Sequence, residues 1–533
     1  MKLIDTAADD NFKWNPDDLD LRTCSTTLPQ NLRLPVFSAK LSNVKLRKAS
    51  IINNDEQAAK CSLSFARLPV MESDLLPCRM ADIFQINEFR NKDDGKEEKQ
   101  DENRLPIMQI ELSFDDRQRP FNLQAGDSIG LITPNPIEEA LACLQRQPLP
   151  NEGEEKECHG PFKSTDLCWL ENAANLLPHL PNSVQLSRSA LDLLRYHCDL
   201  RSLPKKAFIR ALADSCLDAC ERQRLLQLSS REGAEEYDRL VLRPHLTLLD
   251  LLQCFPSCRP SLTTLLVHLP ALRPRYYSMV TSRQDPAKPG HTVCSVAFSL
   301  LQHPKVHRRN GSQLFGLFTG ESYRTFKDKK SREERKTTQD ADDNLLHKLQ
   351  QLALNSDERS LFVFKRKNPN FRLPEMLKQG QPIVMVSCGT GLAPYISFLD
   401  ELQSRRQNQP DTESPKIVLV HGCRDPFNFI YRSRIEKFQK TGLLHRTLIC
   451  YSRFGHEPKD GGGDGVRHVQ HLIGRERDLF KPLLQRADCL VYVCGELKAM
   501  QTAVLLAMAD CVGGMEQVKQ MQTEKRFLVD SWA

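Results

Sequence analysis

Residues 382–404 read PIVMVSCGTGLAPYISFLDELQS, and this stretch decides the fold of the last third of the chain. The apolar run Pro382–Val386 predicts a buried strand. Leucine and isoleucine then recur at helical spacing, at Leu392, Ile396, Leu399 and Leu402. The turn between strand and helix, Gly389-Thr390-Gly391, lets the backbone approach a phosphate closely, and the start of the helix favours an anion. A nucleotide site is one interpretation of this turn, and a βα turn without a ligand is the other.

The residues after this stretch alternate between predicted strands and predicted helices. The strands are Lys416–His421, Thr447–Ser452 and Cys489–Cys494, and the helices are Asn428–Gln439, a short one from Arg467, and Leu497–Asp510. This alternation predicts a doubly wound parallel sheet, whose ligands bind beyond the carboxyl ends of its strands.

Three arginines, Arg424, Arg453 and Arg467, fall at or just after strand ends on one side of this sheet. A guanidinium binds a phosphate through its bidentate fork, so the three together predict a site for an extra phosphate and favour NADP(H) over NAD(H). Any one of them alone would be read as an ordinary solvated arginine.

The first half of the chain has a different pattern. Alternating apolar residues from Ile83, in Leu105–Phe114 and in Ser128–Ile132 predict antiparallel strands and a small barrel. Helical periodicity replaces them between about Gly160 and Leu269 and strands return afterwards, so a helical block interrupts the β domain. Residues 1–80 lack a sustained period and are interpreted as a linker or a partly ordered arm.

Composition places the chain among ordinary globular proteins. Its 533 residues suggest about three domains, and a net charge of +6 gives no argument for a nucleic-acid partner. No run approaches 18 apolar residues, so no membrane partner is expected, and the acidic N-terminus argues against a secretory or transit leader. These features predict a cytoplasmic protein.

The 18 cysteines are scattered and are interpreted as free thiols. Cys216/Cys220 and Cys254/Cys258 are each four residues apart, but no further pair with zinc-like spacing accompanies them. No metal site is therefore expected.

The tetrapeptide Arg275-Tyr276-Tyr277-Ser278 lies in a predicted strand. Alternation puts Arg275 and Tyr277 on one face, where a guanidinium could pair with a pyrophosphate while a phenol ring stacks on an aromatic ligand. A flavin has both groups, whereas a β-rich core also uses tyrosine. Gly316–Gly320 is a second glycine turn, which could bring N–H groups onto the same pyrophosphate or be a plain β-turn.

Taken together, these segments resemble the FAD/NADPH half of the diflavin reductase family. The resemblance runs from Ile83 to Ala533, in the family's order, through RPRYYS, GLFT, VFKRKNPNFRLP, CGTGLAPY, HGCRDPFNFIYR, YSRF, VRHVQHL, VYVCGELKAM and LVDSWA. It implies a ferredoxin-NADP reductase-like fold of α+β and α/β type. An antiparallel FAD-binding β-barrel (83–159 and 271–375) would carry a helical connecting insert (160–270), a doubly wound parallel-sheet NADPH-binding domain (376–533) would follow, and residues 1–82 would be hinge-like.

The resemblance also implies roles for individual residues. FAD would be held by Arg275, Tyr276, Tyr277, Ser278, Cys294, Ser295, Val296, Gly316, Leu317, Phe318, Thr319 and Trp532. Hydride transfer would be assisted by Ser278, Cys494, Asp530 and Trp532. NADPH would be held by Arg90, Gly389, Thr390, Gly391, Arg424, Ser452, Arg453, Arg467, His468 and Gln470.

The sequence departs from the family's pattern at a few of these positions. Ser387-Cys388 replaces the usual Gly-Pro, Glu496 replaces an Asp, Ala503 stands where an Asp is expected, and His468 replaces a Tyr. These changes affect individual contacts more than the fold. The family's FMN-binding flavodoxin-like domain is not expected, because residues 1–82 are too few for its five-stranded sheet.

The implied function is transfer of hydride from NADPH to FAD and of single electrons to a separate protein. The helical insert, with LRSLPKKAFIRALAD and LLDLLQCFPSC, is most similar to the branch of the family that reactivates cobalamin-dependent methionine synthase. The expected acceptor is thus a methionine synthase-like enzyme or a separate flavodoxin-like protein. The alternatives are a reductase for a haem acceptor and a non-catalytic scaffold for a cobalamin enzyme.

Overall fold

The structure is a computed structural model, and it describes residues 32–35, 45–48, 73, 75–87, 105–118, 120–148, 163, 167–171, 188–286, 288–302, 315–337, 361–366, 370–378, 380–408, 415–454, 466–495 and 498–531. These residues form two compact units. The first is drawn from residues 1–68, 134–273 and 302–317, and the second from residues 69–133, 274–301 and 318–533.

The strands of the described residues are numbered in chain order. They are β1 (Lys45–Lys48), β2 (Leu76–Gln85), β3 (Ile107–Asp115), β4 (Ser128–Ile132), β5 (Leu167–Glu171), β6 (Arg188–Ser189), β7 (Arg275–Gln284), β8 (His291–Ser299), β9 (Leu361–Arg366), β10 (Pro382–Cys388), β11 (Lys416–Cys423), β12 (Leu444–Tyr451), β13 (Leu490–Gly495) and β14 (Phe527–Ser531).

The α-helices of the described residues are numbered in the same way. They are α1 (Ile137–Leu144), α2 (Ala190–Tyr196), α3 (Lys206–Asp214), α4 (Ala219–Ser229), α5 (Ala234–Tyr237), α6 (Leu248–Cys254), α7 (Leu262–His268), α8 (Leu317–Thr337), α9 (Ala393–Asn408), α10 (Arg432–Lys440), α11 (Val469–Arg475), α12 (Arg477–Leu484), α13 (Lys498–Val512) and α14 (Met515–Thr523).

The first unit is mainly helical. Leucine-rich faces of its helices pack into one core, in which Leu194, Ile209, Leu248 and Leu265 are fully buried. A capping box begins α6, because the Thr247 side chain accepts from the N–H of Asp250 and the Asp250 side chain accepts from the N–H of Thr247. Strands β1, β5 and β6 add a small antiparallel sheet in that order.

The second unit contains a closed antiparallel barrel with the strand order β2-β3-β8-β7-β4-β9. The alternation predicted for β3 is confirmed, because its apolar residues Met108, Ile110, Leu112 and Phe114 all lie in the barrel core. A side chain at Gly130 is excluded because the Phe364 ring fills that space, 2.2 Å from where a Cβ would be. This close approach allows β4 and β9 to pair.

The second unit also contains the predicted doubly wound sheet, which is confirmed. Its five parallel strands have the order β12-β11-β10-β13-β14, with β10 in the middle. Helices α9 and α10 contribute to the core on one face, and α11–α14 contribute to the core on the other. Pro382–Ser387 of β10 are all buried, as its continuous apolar run predicted.

Several predicted boundaries are wrong. Strand β2 begins at Leu76 rather than Ile83, and the short strands β5 and β6 lie inside the region predicted to be helical. Apolar runs this short have the same pattern in a strand and in a helix, which explains the second error. Helix α10 begins at Arg432 rather than Asn428, because Asp425 caps a separate 3₁₀ turn at Pro426–Asn428.

The prediction of a second glycine turn at Gly316–Gly320 is also wrong. Helix α8 begins at Leu317, directly after Gly316, and continues to Thr337. The long polar run that follows has good helix formers, and these extend the helix through the position predicted as a turn. The N–H groups of a first helical turn are still without partners in their own helix.

Candidate functional site

Three of the predicted catalytic residues meet in the second unit. Cys494 of β13 is paired with Asp530 of β14, and the Ser278 hydroxyl of β7 donates to Asp530 Oδ2 over 3.1 Å. All three are at most 5% exposed. The meeting point lies where the barrel strand β7 contacts the carboxyl ends of two parallel strands. Trp532, the fourth predicted residue, lies outside the described residues.

Asp530 has two further partners that the sequence did not reveal. Ser128 of β4 donates to the same Oδ2 over 3.4 Å, and Nη1 of Arg366 lies 3.4 Å from Oδ1. The Arg366 guanidinium also lies 4.8 Å from the centre of the Tyr276 ring, a cation–π distance. The pairing of β4 with β7 puts Ser128 opposite Ser278. Ser128 could therefore be found only from the register of these two strands, which the alternation of apolar residues does not give.

Burial sets the protonation of this cluster. It raises the pKa of the Asp530 carboxyl above its ordinary value, although Arg366 and the two hydroxyls oppose the shift. Burial also raises the pKa of the Cys494 thiol well above its ordinary value, and the nearby Asp530 adds to the effect. The thiol therefore keeps its proton at neutral pH, and the carboxyl takes one up more readily than an ordinary aspartate.

Tyr276 and Tyr277 lie on opposite faces of β7. The Tyr277 ring packs 5.1 Å from Phe318 and 6.2 Å from Phe298, against the barrel core. Tyr276 instead has an edge contact with Phe364, 6.3 Å between ring centres. Arg275 is paired with Leu131 of β4. Strand alternation thus places Tyr276 and Ser278 on the face towards Asp530.

The remaining described residues that are predicted to hold FAD are more deeply buried than Tyr276 and Tyr277. Cys294, Ser295 and Val296 of β8 are at most 1% exposed and lie between β3 and β7 in the barrel. Gly316, Leu317, Phe318 and Thr319 lie at the start of α8, where the Thr319 hydroxyl accepts from the N–H of Leu301 over 3.2 Å. The structure does not bring these residues into the Ser278 cluster, and their contact with FAD stays a prediction.

The glycine turn after β10 is shaped by close backbone contacts. It forms a 3₁₀ turn, Gly389–Leu392, that leads directly into α9. Gly389 has φ +54°, a conformation that favours glycine. A Cβ at Gly391 would lie 2.4 Å from the carbonyl oxygen of Cys494. The turn is therefore held against β13, next to the Ser278 cluster, only because residue 391 has no side chain.

Two of the three predicted arginines lie side by side. The N–H of Arg453 donates to the carbonyl oxygen of Arg424 over 2.8 Å, and the N–H of Ser452 donates to that of Cys423 over 2.9 Å. The pairing of β11 with β12 thus continues past both strands. Both arginines are exposed, and neither side chain forms an ion pair within the described part of the chain.

Arg467 and His468 precede α11, and both are exposed, while Gln470 within the helix is half-buried. Val469 packs against the bare backbone of Gly422, where a Cβ would lie 3.1 Å from Val469 Cγ1. Arg467 and Arg424 each lie two residues from this contact. Both therefore lie near the same edge of the sheet, as the predicted phosphate site requires. Arg90 lies outside the described residues.

The expectations of no metal site and no membrane-spanning segment can be compared with the structure only over the residues that it describes. Within them, no group of three histidine, cysteine, aspartate or glutamate side chains is arranged to bind a metal ion. Among the helices described, none combines the length and apolar character needed to cross a membrane.

Two protein families match the chain. Residues 93–299 match the family described as FAD binding domain, and residues 385–505 match the family described as oxidoreductase NAD-binding domain. These ranges include β7 of the barrel and the glycine turn after β10. FAD and NADPH are therefore the cofactors of this chain.

The chain is also similar to several curated reductases. It is 31% identical over 434 residues to methionine synthase reductase of Rattus norvegicus, which is 79% of this chain and 58% of that protein. It is 29% identical over 352 residues to NADPH--cytochrome P450 reductase of Oryctolagus cuniculus, 64% of this chain and 45% of that protein. It is 29% identical over 338 residues to nitric oxide synthase of Drosophila melanogaster, which is 63% of this chain and 22% of that protein.

The chain spans somewhat over half the length of the methionine synthase reductases it matches, 58% in the rat protein. The matched part contains both cofactor-binding folds, in the order that the sequence motifs predicted. Because of these likenesses and its two domains, we conclude that the chain belongs to the diflavin reductase family. It carries that family's FAD-binding and NADPH-binding domains.

Proposed function

We propose that the chain is an FAD-dependent NADPH oxidoreductase that delivers electrons one at a time to a protein acceptor. FAD, when bound, supplies hydride acceptance from NADPH and the release of single electrons. The observation that carries the proposal is the buried Ser278–Asp530–Cys494 cluster, which lies between the barrel and the carboxyl edge of the parallel sheet. Ligands of open α/β sheets bind at that edge.

The residues present fit both cofactors. The first turn of α8 offers N–H groups to a pyrophosphate. The Tyr276 ring lies on the same face of β7 as Ser278, whereas Arg275 lies on the opposite face with Tyr277. The turn at Gly389–Gly391 offers a cradle that a Cβ would fill, since residue 391 lies against Cys494. These are donors and shapes suited to a dinucleotide.

Asp530 and Ser278 would control one proton in this cluster. While Asp530 is ionised, the Ser278 hydroxyl donates to its Oδ2. Because burial raises the pKa of Asp530, the carboxyl can take up a proton and donate it to Ser278 Oγ instead. The hydroxyl is then free to donate to the reacting ring. Cys494, whose raised pKa keeps its thiol protonated, adds a second weak donor.

Arg424 and Arg453 would select NADPH. Two exposed like charges held together by the β11–β12 ladder are stabilised by an anion between them, and a 2′-phosphate is such an anion. NADH lacks this phosphate. Arg467, near the same edge, would add a third guanidinium.

The proposed acceptor is a methionine synthase-like cobalamin enzyme, reached directly or through a flavodoxin-like protein. The similarity to methionine synthase reductases, at about 30% identity, supports this choice. A direct measurement is reactivation of a cobalamin-dependent methionine synthase by the chain and NADPH, with and without a flavodoxin. Reduction of a cytochrome P450 alone, with no effect on the cobalamin enzyme, would move the assignment to a haem acceptor.

The chemical step is tested by Ser278→Ala. Loss of the hydroxyl should slow anaerobic bleaching of the flavin by NADPH about tenfold or more, since a hydrogen bond to a charged group is worth about 1.5–3 kcal/mol. NADP⁺ affinity should stay unchanged, and the rate is compared per bound flavin, because Ser278 is also among the residues predicted to hold FAD. The matched control is Ser282→Ala, an exposed serine on the same strand, which should bleach at the normal rate. Equal rates in both variants would exclude Ser278 from the step.

A further inference from the structure

Cys216 and Cys258 lie opposite each other in the first unit, outside the site described above. Cys216 follows α3, and Cys258 lies in the loop after α6. The two residues form an isolated antiparallel bridge. The N–H of Arg259 donates to the Ser215 carbonyl over 2.8 Å, and the N–H of Leu217 donates to the Ser257 carbonyl over 3.4 Å.

These two hydrogen bonds flank the cysteine pair, so Cys216 and Cys258 are a non-hydrogen-bonded antiparallel pair. In such pairs the Cα atoms are about 4.5 Å apart and the side chains lie on the same face. Disulfides need a Cα separation of about 4.4–6.8 Å. The backbone is therefore already placed for a disulfide. Ser257, next to Cys258, also stabilises this bridge, because its Oγ donates to Glu221 Oε2 over 2.7 Å.

The side chains are oriented as the backbone requires. Sγ of Cys216 lies 3.4 Å from the carbonyl oxygen of Leu212, and Sγ of Cys258 lies 3.3 Å from the same oxygen. Both sulfurs thus lie within 3.4 Å of one carbonyl oxygen. Both cysteines are free thiols in the structure.

The two thiols differ in exposure and in acidity. Cys216 is half-buried, whereas Cys258 is 1% exposed. A hydrogen bond from the Cys258 thiol lowers the pKa of Cys216, and the same bond together with burial raises the pKa of Cys258. Cys216 is thus the thiol that ionises more readily and that solvent can reach, the two properties of a reactive cysteine.

We propose that Cys216 and Cys258 are a peroxide-oxidisable pair that closes to an intramolecular disulfide. The Cys216 thiolate attacks hydrogen peroxide, which forms a sulfenic acid and, with the proton from the thiol, one water. The Cys258 sulfur then attacks the Cys216 sulfur, which forms the S–S bond and releases the hydroxyl with the Cys258 proton as a second water. In total, two thiols and one peroxide give one disulfide and two waters.

The disulfide would join the loop after α3 to the loop after α6. Both helices contribute buried residues to the core of the first unit, Phe208 and Leu212 from one and Leu248 and Leu251 from the other. A covalent link between them would restrict opening of that core. The pair would therefore couple the oxidation state of the solution to the rigidity of the helical unit.

The test treats the full chain, with its flavin bound, with a small excess of hydrogen peroxide. Free thiols are then alkylated and the protein is digested without reductant for mass spectrometry. We expect the loss of two thiols per chain and a linked peptide pair containing Cys216 and Cys258, which dithiothreitol separates. Recovery of alkylated Cys258 beside sulfinic or sulfonic Cys216, or of both thiols unmodified, would overturn the proposal.

Two variants make the assignment specific. Cys216→Ser should abolish the linked pair, and Cys220→Ser, which changes an exposed cysteine four residues further along the chain in the first turn of α4, should leave it intact. Linkage of Cys216 to Cys220 in the unmodified chain would also overturn the proposal. The peptide map of the unmodified chain is decisive by itself, even if a variant folds poorly.

Discussion

At the residue scale, the clearest source of pH-dependent stability is His421, a fully buried histidine on β11. Its Nδ1 lies 2.9 Å from Ser387 Oγ, and burial lowers its pKa to about 3. The native histidine thus stays neutral at a pH where the unfolded chain, with a pKa near 6.5, has bound a proton. Since the unfolded state binds more protons in this window, stability falls as the pH drops from about 6.5 towards 3.

The corresponding prediction concerns His421→Asn, which can keep a hydrogen bond to Ser387. The unmodified protein should lose up to about 1.4 kcal/mol of unfolding free energy per pH unit from this histidine alone, and the variant should lack that slope. Urea unfolding at a series of pH values measures it. His471→Asn, at an exposed histidine, should keep the original slope. Parallel curves for His421→Asn and the unmodified chain would contradict the burial argument.

Arg453 is the residue on which coenzyme preference should depend. Its replacement by alanine should narrow the NADPH-over-NADH preference about tenfold or more, because a charge-assisted hydrogen bond is worth about 1.5–3 kcal/mol. The ratio of kcat/KM values for the two coenzymes measures the effect. Arg446→Ala is the matched control, an exposed arginine of β12 that lies 3.4 Å from Glu476. Equal use of both coenzymes by the unmodified chain would refute the phosphate site.

Single residues were predictable from sequence where strand ends determined their position. Arg424 and Arg453 follow neighbouring parallel strands, so their adjacency could be read from the alternation of strands and helices. Ser128 and Arg366 could not be found in this way. Ser128 lies 402 residues from its partner Asp530, and only the register of a closed barrel brings them together. That register depends on side-chain packing, such as the Phe364 ring at Gly130.

At the element scale, the turn between β10 and α9 depends on the absence of one side chain. Gly391→Ala would put a Cβ 2.4 Å from the Cys494 carbonyl, a backbone atom that cannot move without shifting β13. Such overpacking should cost about 1–3 kcal/mol of stability and weaken NADP⁺ binding. Urea unfolding and calorimetric titration measure the two effects.

The matched control for that change is Gly474→Ala in α11. No atom lies within 4 Å of a Cβ at this position. Alanine there should stabilise the protein by about 0.4–1 kcal/mol, because it restricts the unfolded chain. If both variants were equally stable, the close contact at residue 391 would have no energetic role.

Elements were predictable in proportion to their length and periodicity. The buried run of β10 and the regular alternation of β3 gave both strands correctly. Helix α8 was not predicted at all, because two glycines near its first turn resemble a loop, whereas the charged helix formers after them extend the helix. Strand β5 is five residues long, too short for a period to appear.

At the scale of the whole molecule, the chain divides its work between two units. The helical unit has its own core, built from residues 140–269, and the unit with the barrel and the parallel sheet has three further cores. Most residues proposed for cofactor binding belong to the second unit, and the Cys216–Cys258 pair belongs to the first. Cofactor binding and thiol oxidation should therefore stabilise different parts of the chain.

The last prediction follows from this division. Removing the flavin should weaken hydrogen-exchange protection in β7 and β8, and re-adding it at about 100 times its Kd should restore about 2.7 kcal/mol, close to a hundredfold in exchange rate. Helix α6, in the core of the first unit, should change much less, because none of its residues is proposed to touch flavin. Peptide-resolved exchange measured by mass spectrometry compares the two. Equal gains in α6 and β7 would mean that the flavin stabilises the chain as one cooperative unit, and no gain in β7 would remove the barrel strand from the flavin site.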